Sequence, residues 1–224
     1  MIIPVKDEED GLKYLLDDFR DSQLFENHQL EFIFVIDERT SDMSRSIAMK
    51  FSDRIIDQNS TRGKGAAIKQ AVDSWKKNPT PVVIFLDADG SYSFSAVKLV
   101  IDAISAGAEV VSGSRFINSN GRPEGMSRIH NFGNRLLSMI SSLKNRRKIS
   151  DLCTGLWGFS SNSLLSFDIK SNGFDLEAEL AGLARKGGFF HTEVPVEWSQ
   201  RKGGISKLRS LTDGFIILLR ILRT

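Results

Sequence analysis

Two acids one residue apart, Asp87 and Asp89, close an apolar block in VVIFLDADGSYS, residues 82–93. Carboxylates at that spacing suit a hard divalent cation, which takes oxygen ligands. The same pair also describes the polar lip of a buried strand, because strands of α/β proteins commonly end in acids and glycines. Two further acid-rich turns follow apolar blocks: Pro4-Val5-Lys6-Asp7-Glu8-Glu9 after the first, and Asp37-Glu38-Arg39-Thr40-Ser41-Asp42 after the second. Gathered at one sheet edge, these acids would repel one another unless a divalent metal or hydroxyl donors such as those of ribose bound there.

Other chemistries find no support. No G-x-G-x-x-G follows the first apolar block, and Gly63-Lys64-Gly65 lacks the upstream glycine and the Ser/Thr of a P-loop. There is no G-x-S-x-G elbow, and His28, His130 and His191 lack metal-ligand spacing. The single cysteine, Cys153, excludes an internal disulfide and a C-x-x-C site, and reads as packing in a reducing compartment. A net charge of only +2 gives a nucleic-acid surface no global support. The opening MIIPVKDEED carries acids where a leader would be apolar, so a cytoplasmic protein is expected and the sequon at Asn59 reads as chance. No apolar run is longer than that at Phe215 to Leu219, far short of the roughly 20 residues that cross a bilayer.

The elements that must position the acids alternate along the chain. IIPV, FIFVI, RII, VVIFL and EVV read as buried strands. Between them, Gly11 to Phe19, Ser41 to Phe51, Gly65 to Trp75 and Phe94 to Ile104 have helical period. Leu12, Leu15, Leu16 and Phe19 give the first helix one apolar face. This rhythm predicts right-handed β-α-β units and a Rossmann-like, mainly parallel sheet with helices on both faces. Such sheets bind ligands outside the carboxyl ends of their strands, near the first and fourth, which would put the Pro4 and Asp87 turns on one crevice. From about Asn118 the pattern changes to a loop, a helix over Ile129 to Leu143 and a late alternating strand in FFHTEVPVEW. The basic cluster Lys144 to Lys148 and the C-terminal KLRSLTDGFIILLRILRT fit either anionic lipid or a solvated, core-docked helix.

Taken in order, the motifs resemble those of family 2 inverting glycosyltransferases of GT-A fold, of the dolichyl- or polyprenyl-phosphate hexose synthase type. Pro4 to Glu8 is similar to the family's P-x-x-N-E turn, Ile36 to Asp42 to V-D-D-G-S-x-D, and Gly63 to Ala67 to G-K-G-x-A. D-A-D-x-S stands at Asp87 to Ser91 and G-S-R at Gly113 to Arg115, followed by Arg128 and Asn134 before the long helix. D-x-x-T-G spans Asp151 to Gly155, G-F-x-x-E Gly173 to Glu177, E-V-P begins at Glu193, and R-x-G-G-x-S-K-L runs from Arg201 to Leu208. Asp7 replaces the usual asparagine, Lys6 stands where an aromatic often stacks, and Trp157 where many members have arginine.

The resemblance implies one GT-A domain over residues 1–224: a nucleotide-sugar half (1–117), an acceptor half (118–208) and a C-terminal amphipathic helix (209–224). It implies transfer of mannose or glucose from GDP-mannose or UDP-glucose to dolichyl or polyprenyl phosphate, with Mg²⁺ or Mn²⁺ held by Asp87, Asp89 and Ser91. Pro4, Lys6, Glu8, Asp37, Lys64, Asp87 and Ala88 would bind the sugar nucleotide. Asp89, Arg115 and Arg128 would be catalytic, with Arg115, Arg128, Arg201, Ser206 and Lys207 on the acceptor phosphate. The expected setting is the cytoplasmic face of a membrane, with a membrane-protein partner or a homo-oligomer left open and no nucleic acid. A same-fold transferase with a saccharide acceptor, or a non-catalytic nucleotide-sugar-binding protein, are the alternatives. A saccharide hydroxyl would need a general base; a phosphate monoester, with a second pKa of about 6, would not.

Overall fold

The structure, a computed structural model, describes residues 1–21, 30–58, 61–119, 121–203 and 210–224. Seven strands form one sheet: β1 (Ile2–Val5), β2 (Ile33–Asp37), β3 (Ile55–Gln58), β4 (Val82–Leu86), β5 (Val110–Ser114), β6 (Leu156–Ser160) and β7 (His191–Pro195). The helices are α1 (Glu9–Asp21), α2 (Ser44–Ala48), α3 (Lys64–Trp75), α4 (Phe94–Ser105), α5 (Arg128–Asn145), α6 (Ser161–Ser166), α7 (Leu176–Lys186) and α8 (Ser210–Arg223). Strand order is β3-β2-β1-β4-β6-β5-β7. β6 runs antiparallel to both neighbours, while the other pairings are parallel.

The central strands bury both faces, which is why they read as apolar blocks without alternation. Ile33 and Val35 of β2 and Val83 and Phe85 of β4 pack with α3, α5, α7 and α8. Phe34, Ile36, Ile84 and Leu86 point the other way, onto α1 and α4. Phe19 of α1 meets Phe94 of α4 edge to face at 4.7 Å, locking these two helices over that face.

Strands and helices of the first half fall where the pattern predicts, with one difference, and the second half adds a strand. The helix expected over Ser41 to Phe51 is only α2, because the Asp42 carboxylate accepts from the Ser44 and Glu9 amides and holds the preceding residues as a turn. β6 is not foreseen: five residues carry no mark of direction, and this antiparallel strand slots between β4 and β5. The C-terminal helix docks on the core along one side and leaves apolar residues exposed along the other. Ile217 and Ile221 join the core, and Arg220 pairs with Asp175 and Glu179, while Leu211, Phe215 and Leu222 are exposed.

His191 illustrates the cost of a buried titratable group at the start of β7. Its Nε2 hydrogen-bonds to the Ser112 hydroxyl at 2.9 Å, and burial, then the Arg147 charge, lowers its pKa to about 3 from 6.5. The unfolded chain therefore binds more protons between those values, so stability is full above pH 6.5 and falls on acidification toward pH 3, at up to about 1.4 kcal/mol per unit. Urea midpoints at a series of pH values check this: His191→Gln should flatten that part of the acid limb, and an unchanged slope would contradict it.

Candidate active site

The carboxyl ends of β1, β2 and β4 meet at one edge, β4 lying beside β1 and β1 beside β2. Much of the acid there is already satisfied by backbone. Asp7 takes φ 47°, a left-handed conformation that Asp and Asn tolerate, which explains the equivalence of the two residues in this turn. Its carboxylate accepts from the Ser41 amide at 2.8 Å, and Glu9 accepts from Met43 while Asp42 accepts from Glu9. The expectation that all these acids demand a cation is thus corrected: Asp7, Glu9 and Asp42 tie the first turn to the second. Asp37 is gripped by Arg39 through Nε at 2.8 Å and Nη2 at 2.5 Å, and this hydrogen bonding outweighs burial to hold its pKa low.

The Asp87–Asp89 turn is packed from two sides. A Cβ on Gly11, in the first turn of α1, would lie 2.6 Å from the Asp89 Cα. A Cβ on Gly155 would come within 2.0 Å of the Asp87 Oδ2. Tyr92 fastens the two motifs, its hydroxyl accepting from the Gly155 amide at 3.0 Å and bonding Thr154 Oγ1 at 3.1 Å. Tyr92 was not singled out from sequence, and nothing local marks it.

Lys64 Nζ, on the first residue of α3, stands 2.6 Å from Asp87 Oδ1 and 2.7 Å from Glu177 Oε1. Burial alone would lower the lysine pKa, but the two carboxylates outweigh it and raise it. Lys64 therefore acts on Asp87 directly. Glu177 belongs to the G-F-x-x-E motif, and burial raises its pKa against the pull of Lys64. Asp89 is differently placed: its Oδ1 accepts from the Ser91 amide, and its Oδ2 lies 4.0 Å from Arg201 Nη1. Burial, then the Asp87 charge, raises its pKa.

Gly155→Ala should push the Asp87 carboxylate off Lys64 and cost roughly a hundredfold in turnover, the scale expected for displacing a positioned group by about 1 Å. Circular dichroism and initial rates separate this from unfolding. A folded variant with unchanged rate would contradict the packing argument.

The profile of glycosyl transferase family 2 matches residues 1–166, well over half of the sequence. The chain belongs to that family. A glycosyltransferase, AglJ, of Haloferax volcanii is 29% identical over 224 residues, covering 100% of this chain and 70% of that protein. A polyprenol monophosphomannose synthase of Mycolicibacterium smegmatis is 27% identical over 189 residues, covering 79% and 69%. A dolichyl-phosphate hexose transferase of Haloferax volcanii is 29% identical over 164 residues, covering 73% and 68%. Among solved structures, glucosyl-3-phosphoglycerate synthase of Mycobacterium tuberculosis with Mn²⁺ and UDP-glucose superposes with TM-score 0.70 at 14% identity, covering 99% of this chain and 75% of that one. The fold is GT-A.

In this family 2 transferase the arginines divide. Arg115 is not free to clasp a phosphate as expected: its Nε and Nη2 are spent on Asp151 at 2.6 and 2.7 Å, and Nη2 also donates to the Cys153 carbonyl. Asp151 is fully buried and accepts besides from the Arg115 amide and from Asn134 Nδ2. Glu193 in turn accepts from the amides of Ser150 and Asp151, so the E-V-P motif holds the turn that holds Arg115. Arg128 stands exposed at the start of α5. Arg201 reaches the first turn, its Nη2 donating to both Glu8 oxygens at 2.7 and 2.6 Å. Lys202 donates its amide to the Asp89 carbonyl at 3.0 Å, so this strap is tied to the acidic turn. Ser206 and Lys207 lie outside the described residues. Trp157 is buried in the core, stacked on His191.

The donor set suits Mg²⁺ or Mn²⁺. Among the described residues no group of three or more His, Cys, Asp or Glu is gathered to cage an ion. Asp89, half-buried with Arg201 4.0 Å away, and Asp87 beside it would leave the remaining positions to diphosphate oxygens and water, the arrangement these ions take with nucleotides. Pro4 and Ala88 offer backbone at the same edge, Pro4 within β1 and Ala88 buried between the two acids. Lys6 lies near enough to Asp37 for its charge to act on that carboxylate.

Proposed function

We propose that the protein transfers a hexose from GDP-mannose, UDP-glucose or a related sugar nucleotide to a dolichyl or polyprenyl phosphate, inverting the anomeric carbon. The observation that carries this reading is the meeting of an acidic turn and a cationic strap: Asp89 and Arg201 stand 4.0 Å apart across the cleft. One side suits a metal-bound diphosphate, the other an anionic acceptor. The names of the family relatives in Mycolicibacterium smegmatis and Haloferax volcanii support the acceptor class.

Asp89, with Asp87 and the Ser91 hydroxyl, would hold the Mg²⁺ or Mn²⁺, which stabilises the charge that develops on the diphosphate. Lys64 and Glu177 fix the Asp87 carboxylate. Pro4, Lys6, Glu8, Asp37 and Ala88 border the nucleoside. The acceptor phosphate arrives largely as a dianion and needs no base, so Arg128 and Arg201, with Ser206 and Lys207, would supply charge compensation and direction. Arg115 positions the floor beneath them. Because Arg201 holds Glu8, a cation and the donor compete with it there, and its release would hand the guanidinium to the incoming phosphate.

No helix among the described residues is long and apolar enough to cross a membrane. The exposed apolar residues of α5 and α8 support a peripheral position on the cytoplasmic face of a membrane, alone, as a homo-oligomer or beside a membrane-protein partner. A thermal-shift panel of GDP, UDP and their sugars with Mn²⁺ identifies the donor, since a ligand of the native state raises its stability. Adding polyprenyl phosphate, polyprenol or a saccharide to the best donor then tests the acceptor: only the phosphate should accept sugar. Transfer to the saccharide alone would install the rival same-fold reading, and binding without turnover the non-catalytic one.

A further inference from the structure

We infer that a basic groove beside α5, separate from the acceptor site, binds the phosphate-bearing headgroup of an anionic phospholipid. The groove has a volume of about 900 Å³ and lies between α5 and the backbone at Phe116 and at 146–150. Arg135, Arg146, Arg147 and Lys148 line it together with Met139 and Leu143, and no carboxylate does. Arg135 lies over the Phe116 ring at 4.9 Å and donates to the Gly121 carbonyl, and Arg147 donates to the Phe189 carbonyl. Those partners are neutral, so they orient the guanidinium groups without cancelling their charge. With a net charge of only +2 on the chain, four cations around one groove are a local concentration.

The walls identify the occupant. Met139 and Leu143, 54% and 74% exposed, also belong to a stripe along α5 with Ile129, Phe132 and Leu136, spaced so that all five share one side of the helix. A free phosphate would meet the cations and leave that stripe in water. A bilayer supplies both chemistries at the right relative depth: the stripe enters the acyl boundary and the cations meet lipid phosphates just above it. The cationic end of the groove, at Arg146 to Lys148, lies away from the acceptor site, while Phe116 and Ser150 at its other end adjoin the Arg115–Asp151 turn. Arg146 follows the last residue of an 18-residue helix whose first is Arg128, a separation of roughly 27 Å at 1.5 Å per residue.

This inference rests on the peripheral-membrane reading above but not on the sugar chemistry, and one experiment separates them. The full chain is floated with phosphatidylcholine vesicles and with vesicles containing about one third phosphatidylglycerol, comparing wild type, Arg146→Gln/Lys148→Gln and a control, Lys76→Gln/Lys77→Gln. Binding should require the anionic lipid and weaken about 30-fold in the groove variant, near 1 kcal/mol for each charge removed, with the control within about twofold of wild type. Transfer to a short-chain prenyl phosphate in detergent should be unchanged in the groove variant. Equal binding to both vesicles, or equal loss in the control, would overturn the inference. So would a groove-dependent thermal shift with inorganic phosphate but no vesicle binding, which would make the ligand a soluble phosphate. A groove-dependent dimer without lipid would overturn it in favour of a second copy. If wild type transfers no sugar yet floats through these residues, the enzymatic reading fails and the groove stands.

Discussion

Asp89→Asn is expected to lower metal-dependent transfer about a thousandfold while leaving the protein at least as stable as the wild type. On the proposed metal role, the activity loss follows from removing one of the two carboxylates that would hold the ion against the leaving diphosphate, an interaction of several kcal/mol. The stability gain follows from the same burial that prepares the site. Burial and the Asp87 charge raise the Asp89 pKa above 3.8, so between that value and the raised one the native state binds more protons than the unfolded chain. Wild-type stability attributable to this group therefore falls as pH rises through that window, and asparagine removes the fall. Denaturation curves at several pH values for both proteins isolate the difference. A variant with full metal-dependent activity, or one destabilised at neutral pH, would contradict the assignment.

Asp151→Ala should be the most damaging substitution away from the metal turn. It strips a fully buried carboxylate from Arg115, whose Nε and Nη2 both depend on it, and from Asn134. Leaving a buried charge unpaired costs on the order of 3–5 kcal/mol. In a domain of this size that is a fall of about 10 °C or more in the thermal midpoint. Arg115→Met alone should also destabilise, yet Arg115→Met/Asp151→Leu should be milder than the sum, because removing both partners leaves no orphan charge. Strict additivity in that cycle would mean that Arg115 is not held by Asp151 and is available to bind substrate after all.

What the sequence made legible was local. Apolar blocks alternating with helical period placed β1 to β5 and their helices, because those signals lie within windows of a few residues. The D-A-D turn and the P-x-x-x-E turn could be put on one edge because a doubly wound sheet brings its first and fourth strands together. Partners were not legible. Arg201 reaches Glu8 across 193 residues and Arg115 reaches Asp151 across 36, and neither pairing leaves a local mark. Motif position suggested Arg115 as a phosphate ligand, but its Nε and Nη2 are committed to Asp151. The same holds for the acid surplus at the sheet edge: Asp7, Glu9 and Asp42 looked like unmet negative charge until their amide donors were in view. The antiparallel β6 lies in a five-residue run, Leu156–Ser160, too short to mark itself as a strand or to give its direction.

The most direct test is a transfer assay with labelled sugar nucleotide, Mn²⁺ and a short-chain polyprenyl phosphate, followed by the anomeric configuration of the extracted product. Wild type should form a hexosyl phosphate lipid of inverted configuration, lost with chelator and reduced in Arg128→Ala and Arg201→Ala mainly through weaker acceptor binding. Retention of configuration, transfer to polyprenol as readily as to its phosphate, or acceptor affinity unchanged in both arginine variants would contradict it.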